Sequence, residues 1–431
     1  MRDLRKQALE SHKTMSRKAR SRVVSAASSK ANSTVNSPAL SRAASRSRQV
    51  SDDDEDYVSD GTAWSTNSID EVLNGEDVDI PEDAWKSELS VRIEQITNLK
   101  RSSTEGRTES LNACAHILMA RYARAEIEGH VTELVSSMLR SIRQETTERE
   151  AVKALRALAV IIVTLDSNTI YDDVADQLKR SMQSAESAEV KVNAIYTLGI
   201  AAFFAGVGDD EILDIMATLL EIIESDGASV EAQDNAAVVT AALEQWGLLA
   251  TELEDLEEET EAAMEAFVEQ LDSSDASVQI AAGENIALLY EKSYTPREDD
   301  EDAEEEDSED PESTKNGEAM VKRYQVYRRQ DQLLHALDEL ANVSTRRISK
   351  KDRKTLHSSF AEIRNTVERP TRGPSYSTAL DQETGKAYGA GRMRLQRLNA
   401  LRRTLQGGFA HHYEQNELVS SALPFSLASR R

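Results

Sequence analysis

The sequence predicts an all-α protein: an armadillo/HEAT-like helical-repeat solenoid plus a small helical C-terminal domain, with a disordered N-terminal tail and an acidic linker. Three observations carry this. From about residue 81 onward, apolar residues recur at helical spacing. Columns of small and aliphatic residues repeat every 40 positions: Cys114, Ala154 and Ala194; Ala115, Leu155 and Ile195; Leu118, Leu158 and Leu198. The 431 residues include only 7 Pro and 17 Gly, too few turn formers for a long all-β chain. A period near 40 with two helices per unit is the pattern of HEAT and armadillo arrays.

Residues 1–80 read as the tail. The first 50 contain 11 Ser and 12 Lys or Arg against 2 acids, and such a segment buries too little apolar surface to offset its chain entropy. Arg42-Ala-Ala-Ser45 and Arg48-Gln-Val-Ser51 resemble sites for basic-directed kinases, which makes Ser45 and Ser51 candidate phosphorylation sites. The acidic run Ser51-Asp-Asp-Asp-Glu-Asp follows.

Residues 81–296 read as the solenoid. Trp85, Leu89, Ile93, Ile96 and Leu99 share one helix face, and Ile212, Ile215, Met216, Leu219, Leu220 and Ile223 follow the i, i+3, i+4, i+7 series of another. Asp209 or Asp210 is the expected N-cap of that second helix and Gly227 its stop. The Ala-rich stretch Ala151–Ala159 is expected to face inward, where neighbouring repeats approach closely. About five helix pairs are expected, ending at Tyr290. The last is delayed by a long acidic helix over Glu252–Gln270.

Residues 297–318 read as an acidic linker, whose self-repulsion should keep it extended. Residues 319–431 read as a basic helical domain. Tyr324, Tyr327, Leu333, Leu334, Leu337 and Leu340 outline its first helix, and Leu356, Phe360, Ile363 and Val367 its second, with Ser349 as N-cap. A final helix over Arg392–Leu405 carries the stripe Leu395, Leu398, Leu401 and Leu405 and stops at Gly407-Gly408.

The net charge of −26 hides an asymmetry. Residues 321–431 carry 21 Lys or Arg against 10 acids, whereas residues 51–320 carry 18 against 65. Basic ends on an acidic body point to nucleic-acid contact by the ends. Two clusters are the candidates: Arg346, Arg347, Lys350, Lys351, Arg353 and Lys354, and then Arg392, Arg394, Arg397, Arg402 and Arg403. Each phosphate they neutralise would release counterions and give salt-dependent affinity. The alternative is that these charges complement the acidic solenoid within the chain.

Catalytic signatures are missing from the sequence. It has no P-loop, no Gly-rich dinucleotide fingerprint and no Gly-x-Ser-x-Gly elbow. With Cys114 as the single Cys, neither an internal disulfide nor a cysteine zinc site can form, and core packing is its expected role. His411-His412 lacks a third metal ligand at a suitable offset. No catalytic residue, cofactor, metal or small-molecule substrate is expected. The run from Leu158 through Leu165 is shorter than the roughly 18 residues a membrane span needs, and the N-terminus has no secretory h-region. A cytoplasmic or nuclear location follows as the expectation, with no membrane partner.

At four places the residues resemble the interferon-related developmental regulator family. The likeness begins near Leu99-Lys-Arg-Ser-Ser-Thr-Glu-Gly-Arg107 and is sharpest at Ser277-Val-Gln-Ile-Ala-Ala-Gly-Glu-Asn-Ile-Ala-Leu-Leu-Tyr-Glu291. Lys350–Ile363 and Phe409-Ala-His-His-Tyr-Glu-Gln-Asn-Glu-Leu418 resemble the start and end of the family's small C-terminal domain. The resemblance implies an armadillo-like fold without enzymatic activity. It also implies either ribosome association in translational control, or transcriptional co-regulation as a protein–protein adaptor whose solenoid binds regulatory proteins. It marks Arg392–Leu405 and the segment through His411 and His412 as candidates for contact with rRNA.

Overall fold

The computed structural model describes residues 83–98, 103–165, 168–296, 314–315, 318–342, 350–370, 379–380, 387–388, 391–423 and 426–427. Ser45, Ser51, Arg346, Arg347 and Ser349 lie outside them, as do the whole tail and most of the acidic stretch. The side chains of Lys350 and Lys351 are likewise outside the description.

The fold is all-α. Five antiparallel pairs run from α1 to α10: α1 (Ala84–Thr97) with α2 (Thr104–Ala120), α3 (Val131–Gln144) with α4 (Glu148–Thr164), α5 (Asn168–Ser184) with α6 (Ala188–Ala205), α7 (Asp209–Glu224) with α8 (Ala236–Ala250), and α9 (Glu257–Gln270) with α10 (Ala276–Lys292). The even-numbered helices stack on one another in sequence and form the inner layer. All nine residues of the 40-step columns lie in α2, α4 and α6 and are buried. The period is therefore the spacing between stacked inner helices, and Ala at the contacts lets their backbones approach. Hydrogen bonds of nearly the same sequence span tie neighbouring inner helices: Thr197 Oγ1 donates to the Leu155 carbonyl at 3.3 Å, and Asn285 Nδ2 to the Leu243 carbonyl at 2.8 Å.

Local signals fix the starts of the inner helices. Ser103, Thr147, Ser187, Asn235 and Asp275 each accept a backbone N–H from the first turn of the helix that follows. Such a cap contributes about 1 kcal/mol. The cap expected at Asp209 or Asp210 is replaced: Gly208 holds the N-cap position of α7, and both aspartates sit in the first turn, where their charge complements the helix dipole. Gly227, at φ +80°, does close the turn after α7. The acidic stretch before the fifth pair is not one long helix. α9 begins at Glu257, and the extra residues form the turn through Thr251–Leu256.

α6 is long and apolar enough to cross a bilayer, which the apolar-run reading did not bring out, yet 78% of it is buried against its neighbours. It is the central helix of the core, packed on α4, α5 and α8.

After α10 the chain forms β1 (Tyr294–Pro296), which pairs antiparallel with β3 (Glu318–Lys322), while β2 (Thr314–Lys315) takes the other edge of β3. The register sets Pro296 opposite Met320, so the two ends of the acidic stretch meet. Beyond it, α11 (Gln330–Ala341) and α12 (Lys350–Glu368) form a sixth pair, with α12 stacked on α10 as a further inner helix. Leu356, Phe360, Ile363 and Val367 are its buried face, as the spacing predicts. Gly283 permits the approach: a Cβ there would stand 2.9 Å from Ile363 Cδ1 and 3.1 Å from Phe360. Tyr324 and Tyr327, expected in the first helix of this part, lie instead in the non-helical segment before α11.

The last helices are α13 (Arg392–Leu405), α14 (Phe409–Gln415) and α15 (Glu417–Ala422). α13 has the boundaries its Leu stripe predicts. It lies against α8 and α10 and reaches α4 and α2, so the end of the chain returns along the inner layer towards its beginning.

Candidate functional site: the inner face and its basic helices

The side of the inner layer away from the outer helices is where the chain's basic and acidic parts meet. α8 and α10 present few side chains there, and among them are Glu244 and Glu284. α13 covers these with arginines. Arg392, only 6% exposed, pairs with Glu284 at 2.7 Å, donates from Nε to Thr366 Oγ1 of α12, and its backbone N–H reaches Glu291. Arg403 pairs with Glu244 at 2.5 Å and lies over the Tyr196 ring, 4.3 Å from its centroid. Tyr196 donates its hydroxyl to the same Glu244. Between them, Gln396 donates to Asn285.

Arg397 ties α13 to the turn after α8. Its guanidinium donates to the Thr251 carbonyl and hydroxyl and to Glu252, and it stacks over Phe203. Burial lowers the Arg397 pKa and raises that of Glu252, the latter against the pull of Arg397 and Lys292. Desolvation thus opposes the attraction at this pair, and its hydrogen bonds decide that it forms. Lys292 caps the same turn through the Ala250 and Leu253 carbonyls, and burial depresses it to about 8.

The end of the chain is fastened to the first two repeats. His412 is fully buried, and its Nε2 lies 2.8 Å from the Leu118 carbonyl, which makes Nε2 the protonated nitrogen. Burial lowers its pKa, so the ring is neutral. Asn416 donates to the Val163 carbonyl at 2.7 Å. At Gly408 a side chain would run into the Met119 carbonyl.

The candidates from the sequence therefore divide. Arg392, Arg397 and Arg403 are paired with carboxylates of the solenoid, the arrangement that internal charge complementation describes, and His412 is held there by a hydrogen bond to a backbone carbonyl. Arg394, Arg402 and His411 are half-buried. In α12, Arg353 is half-buried and Lys354 is exposed. The carboxylates that receive the arginines, Glu244, Glu252, Glu284 and Glu291, went unnoticed in the sequence; their positions opposite α13 follow only from the packing.

A cavity of about 380 Å³ opens where α8, α10, α12 and α13 converge, with Thr240, Glu244, Glu284, Glu362, Gln396 and Arg403 on its walls. No His or Cys lines it, and Glu244 and Glu284 already hold arginines. Among the described residues no group of three His, Cys, Asp or Glu is placed to hold a metal. Cys114 is fully buried, and burial pushes its thiol up to about 12, far from a reactive thiolate.

A capped stack of helix pairs with its own C-terminal helices laid along the inner face defines the class: a helical-repeat protein. The model of the Interferon-related developmental regulator (IFRD) family matches residues 57–368, and the chain belongs to that family. The match spans α1 to α12; α13–α15 lie beyond it. An uncharacterized protein of Schizosaccharomyces pombe is 27% identical over 329 residues, which covers 75% of this chain and 71% of its own.

Proposed function

We propose that this regulator is non-enzymatic and associates with ribosomes or ribonucleoprotein in translational control, touching RNA through the basic run from Arg346 to Lys354. The observation that carries this reading is the division of the cations. Arg392, Arg397 and Arg403 are held by carboxylates of the solenoid, whereas the run at the start of α12 ends in the exposed Lys354. The run holds six cations against the single Asp352. It leads into a helix N-terminus, whose dipole adds to its attraction for phosphate. Contacts of this kind are sequence-tolerant and weaken with salt.

The test is sedimentation of the tagged protein through sucrose gradients at low and high salt. Co-migration with ribosomal peaks, lost at high salt and lost in the K350E/K351E/R353E/K354E variant, is the expected result. Unchanged co-migration of that variant would remove the run from the interface.

A second reading is a nuclear protein–protein adaptor for transcriptional regulators. The internal use of the α13 arginines favours it, because it takes Arg392, Arg397 and Arg403, three of the eleven candidate cations, away from the surface that nucleic acid would need. A pull-down that survives nuclease and returns chromatin proteins without ribosomal ones would select it.

A further inference from the structure

The cavity of about 380 Å³ between α8, α10, α12 and α13 holds both answered and unanswered acceptors. Glu244 and Glu284 on its walls are answered, by Arg403 and Arg392. Glu362 of α12, exposed on the same walls, pairs with no cation among the described residues. Gln396 of α13 carries the second unanswered acceptor. It is only 7% exposed, and its Nε2 donates to Asn285. Its Oε1 accepts no hydrogen bond among the described residues. The nitrogen is the end held against the inner helices, since a Cβ at Gly247 of α8 would stand 3.0 Å from it. The oxygen is left for the cavity. Ile280 and Leu395 add half-buried apolar surface to the walls, and Ser277 and Asn399 are its other exposed lining residues.

We propose that this cavity is a socket for an arginine side chain presented by a basic segment of a partner protein. Charge complementarity carries the assignment. Arg392 and Arg403 set against Glu244, Glu284 and Glu362 leave one negative charge, that of Glu362. The two unanswered groups only accept, so the occupant has to donate and to carry positive charge. A guanidinium has five N–H donors in a rigid fork and no acceptor. Its apolar stem suits the surface of Ile280 and Leu395. The volume lies at the low end of the roughly 300–1,000 Å³ of ligand pockets, which fits a side chain rather than a folded element. A phosphate would bring acceptors and negative charge to a site that already has both. The chain supplies the precedent, because two of its own arginines fill the neighbouring places on this face. The socket goes beyond RNA contact at the start of α12 and does not rest on it.

The test is fluorescence anisotropy of a fluorescein-labelled tetra-arginine peptide titrated with the full-length protein at about 0.15 M salt, where distant surface charges are screened. Binding is expected, weakened about threefold in Glu362→Gln, which removes one exposed charge. Asn399→Trp sets an indole at an exposed position of the lining and should weaken it about tenfold. Glu265→Gln, which removes an exposed charge from α9, should leave it unchanged. Circular dichroism checks that the variants are folded, and the two glutamine variants keep the comparison if the Trp variant is not. No binding overturns the proposal, and so does binding that Glu362→Gln and Glu265→Gln affect equally. Equal binding of the same peptide with citrulline for arginine overturns it as well, because citrulline keeps the shape and loses the charge. Binding that emerges only after the arginines of residues 1–50 are changed to Gln overturns the partner assignment, because the chain's own basic tail would then be the occupant.

Discussion

α12 and α13 have nearly the same composition at the start of each helix, and the fold uses them in opposite ways. Lys350, Lys351, Arg353 and Lys354 open one; Arg392, Arg394 and Arg397 open the other. α12 is an inner helix of the sixth pair, fixed by Phe360 and Ile363 against Gly283, and near its start Arg353 is half-buried and Lys354 exposed. α13 is laid across that stack, and its cations are answered by Glu244, Glu252 and Glu284. The difference teaches that a run of basic residues does not by itself mark a surface, because distant carboxylates of the same chain can answer it. Here the opposing carboxylates stand more than 100 residues away in sequence.

The largest effect that could break this contrast lies at Arg392. Arg392→Glu would bury a carboxylate against Glu284 and Glu291, and removing a buried ion's partner costs about 3–5 kcal/mol. Thermal denaturation should show a large drop, and limited proteolysis should cut ahead of α13. Stability near that of wild type would mean that α13 is not held as described. Next comes Gly408, where a side chain would strike the Met119 carbonyl. Gly408→Val should cost about 1–3 kcal/mol, the range for overpacking, read as a lower urea midpoint at unchanged m.

How much of this was legible in the sequence follows the same division. The stack was legible because its contacts are periodic: the columns from Cys114 to Leu198 recur at one interval and are buried together. α13 was legible as a helix, with its exact ends, because Leu395, Leu398, Leu401 and Leu405 follow a helical stripe, of which the last three are buried and Leu395 is half-buried. The sixth pair was hidden. The acidic stretch between β1 and β3 breaks the 40-residue register, so α11 and α12 read as a separate domain although α12 stacks on α10. The direction of the α13 arginines was hidden for another reason. A short Leu stripe with Arg on both flanks suits a helix on a protein surface or on an acidic groove equally well. Asp209 misled because Asp is both a good cap and a good first-turn residue, and Gly208 took the cap.

A smaller effect comes from His412. Its folded pKa lies below the ordinary value of 6.5, so near and below that pH the unfolded chain binds more protons than the folded one. The stability held by the neutral ring is therefore fully present above pH 6.5 and is lost as pH falls through 6.5 and below. The loss should centre on the α14–α2 contact. His412→Asn, whose amide can still donate to a carbonyl, should flatten the fall of melting temperature between neutral and acid pH. An unchanged slope would move the titration to another group.

The smallest stability effect belongs to Lys354, and it sharpens the contrast most. Lys354→Glu changes an exposed side chain, so its unfolding free energy should stay within about 0.5 kcal/mol of wild type. Arg403→Glu should do more, because Glu244 would face a second carboxylate beneath Tyr196. Binding should rank the two variants in the reverse order. If α12 meets RNA, Lys354→Glu lowers ribosome association at constant stability and reduces its salt dependence by about one phosphate contact. Arg403→Glu, measured at a temperature where it remains folded, should leave that salt dependence as it was. If the two variants lose association equally while both stay folded, the inner face is part of the interface, and the internal pairing of α13 is then a closed state that the partner has to open.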